Sequence, residues 1–491
     1  MSNKHTNNYK KVLDAFTRDE LHYISQVKRF FEWYEGDADF RTAVNAGRIN
    51  PKQQERMKQI GIDFHTKEMA LLWKNPEIIT ECTCQTHEDI PAEHVEMLKN
   101  YPLMELWFRF IRHKKTQFRE ACAQRFPVLN TRFDNWRNRH IASAQSELGA
   151  YNQFIDHPSL AIELCDGCSV QCWFCAFSSN KLQSTLDYNN NKDFFRGIAQ
   201  VCTDIFGGQA AGMALLYYAT EPYDNPHYID YIKDYDDITG SPVCTSTAVG
   251  TDKKWIDDLL AYYRPRTLPW PRLSVLSTKM LHKIHDNHSP DELRDVSLHM
   301  QMKDSEREKV SGGRIFSQKD DMRQRDSTNY LQDAVPQGTI ACVTGFYINL
   351  VRKDIKLVSP CYTSEKWPYG YRVFDEASFD TVEDFRNTVL EMIERNMPDT
   401  PPAHMTLRLR DDLICKPLEN GFDLISPNQI HHFQNKSVFK ALGELLMNTP
   451  VSYQDAGDIL VDKYRQDPFA VQAVLKYLFT NGFLDEAGLN T

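Results

Sequence analysis

The spacing of hydrophobic positions falls into three regimes along the 491 residues. In residues 1–154 it is helical. Ile24, Val27, Phe31 and Tyr34 recur at helical spacing, and the stretch from Pro91 to Phe126 gathers Leu106, Trp107, Phe110 and Ile111. Asn130 precedes a further helical run, TRFDNWRNRHIASAQSEL, that stops at Gly149, so Asn130 is expected to cap it. From about residue 155, short apolar runs alternate with helical faces. SLAIEL (159–164), MALLYY (213–218), PVCTSTAV (242–249) and RLSVLS (272–277) read as strands. Between them, helical faces are built on Phe194, Ile198, Val201 and Ile205, on Tyr228, Ile229 and Ile232, and on Trp255, Ile256, Leu259 and Leu260. This alternation predicts an α/β fold, a parallel sheet or barrel with its site at the C-terminal ends of the strands.

The charged stretch from Lys303 to Asp333, with Gly312-Gly313 inside it, reads as a mobile loop. After it, TIACVTGFYINLV and IKLVSPC read as two more strands forming a hairpin. The third regime starts near Pro401, after the linker-like PDTPPAH. Here TLRLRDDLICKPLENGFDLISP places Asn420-Gly421, a hairpin-turn signal, between two alternating runs. Three helices are expected next, near 437–447, 452–464 and 467–482. The expected organisation is a helical region over 1–154, an α/β domain over 155–400 and a hairpin-plus-helices domain over 401–491.

Charge narrows the partners. With 57 Lys and Arg against 67 Asp and Glu the net charge is −10, which argues against nucleic acid as the main partner. The polar start, MSNKHTNNYKKVLDAF, lacks the apolar core of a secretory signal, and no apolar run reaches the length of a membrane span. A cytoplasmic location without membrane association is the expectation. Of the twelve cysteines, four fall in CDGCSVQCWFC, between Cys165 and Cys175, and most of the rest are scattered. One tight group in a long chain points to a metal or catalytic site, not a disulfide framework. Cys82 and Cys84 read as loop thiols.

Cys168, Cys172 and Cys175 form C-x3-C-x2-C directly after a predicted strand, with Phe174 before the last cysteine. Thiolates so spaced can wrap a loop around a [4Fe–4S] cluster and leave one iron open. The alternative is zinc held by Cys165 with the other three, although zinc sites more often join two ligand pairs from separate hairpins or helices.

The loop resembles that of the radical S-adenosylmethionine (SAM) superfamily. The resemblance implies a partial (β/α)6 barrel in which SAM chelates the open iron and is cleaved to a 5′-deoxyadenosyl radical that abstracts hydrogen from substrate. It places Thr220 and Glu221, in ATEP, where the superfamily holds the SAM amino group, although the usual two glycines are absent. Ser274 and Ser277 stand where the ribose and carboxylate are touched, and Ile340–Gly345 where adenine packs.

ELCDGCSVQCWFCAFSS with YYATEPYDN, and GFYINLVRKDIKLVSPCYTSEKWPYGYRV, look like the radical SAM peptide epimerases of the polytheonamide type. Residues 401–486 resemble the winged-helix peptide-recognition domain of ribosomal-peptide maturation enzymes, on ENGFDLISPNQIHHFQNKS and LKYLFTNGFLDE. The likeness implies conversion of L- to D-residues in a ribosomal precursor peptide whose leader binds the C-terminal domain as an added strand. It also implies an electron donor such as flavodoxin or ferredoxin. Cys361 would return hydrogen to the opposite face of the peptide Cα, with a side chain facing the barrel mouth, and Cys342 is the competing thiol. Two other readings stay open. One is a different single-cluster radical modification, C–C crosslinking or thioether formation; the other is a non-catalytic zinc-containing peptide- or DNA-binding protein.

Overall fold

A computed structural model describes residues 8–63, 66–75, 98–123, 129–266, 271–305, 312–317, 338–447 and 450–486. Cys82 and Cys84, and most of the charged stretch from Lys303 to Asp333, lie outside them. The strands are β1 Leu160–Glu163, β2 Ala214–Leu215, β3 Ser246–Thr247, β4 Arg272–Val275, β5 Ser297–Met300, β6 Gly345–Asn349, β7 Asp354–Pro360, β8 Tyr371–Ser378, β9 Ile414–Leu418, β10 Gly421–Ile425 and β11 Ile430–Gln434. A two-residue antiparallel pairing, Cys165–Asp166 with Ser184–Thr185, is interposed after β1. The helices used below are α1 Arg18–Gly36, α2 Thr131–Leu148, α3 Lys253–Tyr263, α4 Thr278–Asn287, α5 Gly313–Ser317, α6 Ser437–Leu446, α7 Tyr453–Asp458 and α8 Pro468–Thr480.

The fold is mixed α/β, and its contacts divide the chain into two units. Unit 1 joins Met1–Phe126 to Glu221–Glu308. Its three-stranded sheet runs β3-β4-β5, all parallel. α1 starts with a capping box at Thr17 and Glu20, which satisfies backbone donors that the first turn leaves over. Ile24 of α1 packs with Phe110, Leu273, Val275 and Leu281, so the N-terminal helices and the β3-β4-β5 sheet share a core.

Unit 2 joins Pro127–Thr220 to Lys309–Thr491. Its main sheet has the order β8-β7-β6-β1-β2, with β1 parallel to β2 and β6, and β6-β7-β8 an antiparallel meander. Asn130 caps α2 as expected, accepting the Phe133 amide at 3.0 Å. α2 then lays Phe133 against Phe206 and Phe346. A second, antiparallel sheet, β9-β10-β11, packs Phe422, Leu424 and Phe433 on Leu442 of α6 and Leu475 and Leu478 of α8.

The strands expected for one barrel are thus found in two open sheets, one in each unit, and neither closes. Several are also shorter than the apolar runs suggest, and side chains take backbone donors near their ends. The amide of Ala219 donates to the Glu163 carboxylate and that of Ala248 to Glu221. The amides of Cys342 and Val343 donate to the Tyr218 hydroxyl. Side chains have taken donors that a longer ladder would have used. Cys342 accordingly precedes β6 and is not inside a strand. The hairpin turn is Glu419-Asn420, not Asn420-Gly421, because Leu418 pairs with Gly421. Gly421 is needed for space: a Cβ there would stand 1.9 Å from the Phe433 carbonyl oxygen.

Candidate functional site

β1 carries the chain into the cysteine loop of unit 2. Its last residue, Glu163, is buried and accepts from the Ala219 amide at 2.6 Å, the Tyr347 hydroxyl at 2.8 Å and the Asn349 amide at 3.1 Å. Burial raises its pKa above the usual carboxylate range, opposed by those three hydrogen bonds. Cys165 is also buried, in the pairing with Thr185, and its carbonyl accepts from Asn349 at 2.9 Å. Cys168, Cys172 and Cys175 are all half-buried, as is Phe174, which stands edge-on to Trp173.

The loop is closed by its own backbone. Cys168 donates to the Asn180 carbonyl at 2.9 Å and Cys175 to the Cys172 carbonyl at 3.2 Å. Ser179 Oγ lies 3.6 Å from Cys175 Sγ and donates to the Ala219 carbonyl at 2.5 Å. The Ala219 peptide, one residue before Thr220, is therefore held at its N–H by Glu163 and at its C=O by the cysteine loop.

Three half-buried thiols on one loop are of the residue type that ligates iron–sulfur clusters. Among the described residues no group of three or more His, Cys, Asp or Glu is placed to hold a metal ion. Zinc would need its sulfurs about 2.3 Å from a common point, and Cys165 differs from the other three in its burial.

The remaining expected SAM contacts divide between the units. Thr220, half-buried, ends the first segment of unit 2, and Glu221 opens the second segment of unit 1. Glu221 is 5% exposed. Its carboxylate accepts from the Tyr223 amide at 3.1 Å, the Ala248 amide at 2.8 Å and the Thr247 hydroxyl. Burial pushes its pKa up to about 7 against the pull of those donors. Ser274, half-buried on β4, pairs in register with His299. Ser277 is not on that strand. It is the exposed N-cap of α4, accepting the Met280 amide at 3.2 Å.

Cys361 follows β7 in unit 2, its amide donating to the Gly370 carbonyl at 3.0 Å. The opening expected in front of its side chain is not there: the residue is 0% exposed. Burial raises the thiol pKa, Arg372 opposes the rise and Glu147 adds to it. Around it, Glu147 accepts from the Tyr362 amide at 2.9 Å and from Arg372 at 2.7 Å, and Asp412 pairs with Arg410 at 2.8 Å. Cys342 is half-buried. The Tyr218 hydroxyl that accepts its amide belongs to a ring 4.4 Å, centroid to centroid, from Phe177 of the cysteine loop.

Sequence reading missed Glu163, Gln171 and Arg314. Glu163 had a visible signal, a carboxylate inside the apolar run SLAIEL. Gln171 and Arg314 tie the loop together and had none, because neither belongs to a periodic pattern.

No family model and no solved structure matches the chain. It is 32% identical over 427 residues to the uncharacterized protein y4wI of Sinorhizobium fredii (strain NBRC 101917 / NGR234), across 86% of this chain and 80% of y4wI. An alignment of that extent takes in parts of both the helical N-terminal region and the C-terminal domain, besides the cysteine loop. The chain belongs to the family of the uncharacterized protein y4wI.

Proposed function

We propose that the protein is a radical SAM enzyme that converts L-residues to D-residues in a ribosomally made precursor peptide. The observation that carries this reading is the cysteine loop. Three half-buried thiols in C-x3-C-x2-C follow a strand, β1, that is parallel to both its neighbours, while Cys165 is buried apart. In this reading Cys168, Cys172 and Cys175 hold a [4Fe–4S] cluster, and Thr220, Glu221, Ser274 and Ser277 contact SAM. When bound, the cluster and SAM supply a one-electron reductive cleavage and a carbon radical able to take a Cα hydrogen.

The chain's own part is to hold the peptide, exclude stray hydrogen donors and return one hydrogen to the opposite face. Cys361 is assigned the return. Burial holds the sulfur as S–H, the form that can give a hydrogen atom, and the assignment requires that peptide binding uncover it, since it is 0% exposed here. After donating it must be re-reduced before the next turnover. A donor on one face and consumption of one SAM per event make the inversion effectively one-way. Residues 401–486 are read as a winged helix that binds the leader, supported by the order β9-β10-β11 with α6, α7 and α8.

The test is anaerobic turnover in D2O with a candidate precursor, SAM and reductant, read by peptide mass spectrometry. About one mass unit gained per inverted residue, with matching 5′-deoxyadenosine, is expected because a thiol hydrogen exchanges with solvent. Cys361→Ala is expected to form 5′-deoxyadenosine without that deuterium. A loss of two hydrogens would instead establish crosslinking or desaturation, and stoichiometric zinc in anaerobically purified protein would overturn the reading.

A further inference from the structure

Arg314 does not resemble a functional residue in the sequence, since it lies in a charged stretch with no periodicity. In unit 2 it reaches the cysteine loop with four hydrogen bonds. Its backbone amide donates to the Cys175 carbonyl at 2.9 Å. Its guanidinium donates to the Cys172 carbonyl at 2.7 Å, to Gln171 Oε1 at 2.7 Å and to the Ser179 carbonyl at 2.5 Å. Gln171, held at a left-handed φ of 51°, completes the arrangement. Its amide nitrogen is within 2.7 Å of the Cys168 carbonyl, 2.9 Å of that of Asn180 and 3.1 Å of that of Ser179. Two side chains thus satisfy the carbonyls of Cys168, Cys172, Ser179 and Asn180, while the Arg314 backbone satisfies that of Cys175.

The approach that allows this is tight. Gly313 lies against the backbone of Ala176, and a Cβ on it would stand 2.1 Å from the Ala176 carbonyl oxygen, at a φ of +47° that side chains rarely adopt. The Gly313 amide is held on the other side by the Pro368 carbonyl at 2.9 Å. α5 is therefore fixed on the cysteine loop by its backbone before the guanidinium acts. A planar fork suits two divergent carbonyls and an amide oxygen at once, which a lysine ammonium on a flexible stem does not reproduce.

We propose that Arg314, acting with Gln171, is a positioning residue that holds the backbone of the cysteine loop in this conformation and whose fixed charge raises the reduction potential of a cluster bound there. The loop part rests on the hydrogen bonds alone. The potential part rests on the iron–sulfur reading above, because net charge and hydrogen bonding around a cluster set its potential and a fixed cation favours the more negative, reduced form.

The test compares wild type, Arg314→Lys and Arg314→Gln as full chains, by two readouts besides turnover. The first is amide hydrogen exchange over residues 168–180 in metal-free protein. Both variants are expected to exchange about tenfold faster or more, as the loss of more than one hydrogen bond implies, with β7 and β8 unchanged. The second is the midpoint potential of the reconstituted cluster by redox titration with electron paramagnetic resonance. Arg314→Gln is expected to titrate at a lower potential, and Arg314→Lys close to wild type because it keeps the charge. Unchanged exchange in both variants would overturn the positioning role. A potential that does not fall in Arg314→Gln, or falls equally in Arg314→Lys, would overturn the electrostatic role. If wild-type protein takes up no iron and sulfide, the function proposed above fails and takes the electrostatic role with it, while the exchange measurement still decides the positioning role.

Discussion

The sharpest stability prediction concerns Arg139, midway along α2. Its guanidinium donates to both oxygens of Glu486, at 3.0 and 2.9 Å, and stands 4.2 Å from the centre of the Phe479 ring. The residues are 3% and 4% exposed, so water cannot replace a lost partner. Truncation in Arg139→Ala leaves a carboxylate buried with its bidentate partner gone, which costs about 3–5 kcal/mol. Replacing both by apolar residues, Arg139→Met with Glu486→Leu, removes the stranded charge and is expected to return most of that loss. The coupling between the two sites should then be about 2 kcal/mol or more. Native-state hydrogen exchange over α8 and β10 reads the local opening free energy without requiring the whole chain to unfold in one step. An Arg139→Ala variant within about 1 kcal/mol of wild type, the worth of an exposed pair, would refute the reasoning. So would a double variant as unstable as the single one.

Glu221 predicts a pH dependence. Its folded pKa of about 7 lies above the ordinary 4.5, so the folded carboxyl holds its proton more tightly than the unfolded one. The stability this contributes is fully present below pH 4.5 and is lost as pH rises through about 7, and the difference of 2.5 in pKa corresponds to about 3 kcal/mol. Thermal unfolding should show unit 1 losing stability across that window, and Glu221→Gln should flatten the dependence. The cysteines are expected to separate in metal content. After anaerobic reconstitution Cys168→Ser, Cys172→Ser and Cys175→Ser should lose most of their iron, whereas Cys165→Ser should keep it while unfolding at a lower temperature, since it places a hydroxyl where a buried thiol stood. Equal iron loss in all four would refute the assignment of three ligands with Cys165 apart.

What the sequence by itself determined is local. Helix spacing announced α1 and α2, and a polar side chain before an apolar periodic run placed the Asn130 cap. The alternation of apolar runs with helical faces gave the α/β class, and three thiols within eight residues marked the loop. These signals rest on residues two to four apart, the distances that strand and helix geometry bring together. Only the tertiary structure decided the rest. It joined residues 1–126 to 221–308 and divided the strands between two sheets. It gave backbone donors that follow β2 and β3 to Glu163 and Glu221, and it buried Cys361 while leaving Cys342 half-exposed. It also brought Arg314 onto Cys172 across 142 residues of chain. Pairings at that separation follow no period, because they are settled when buried polar groups find their partners in the packed chain.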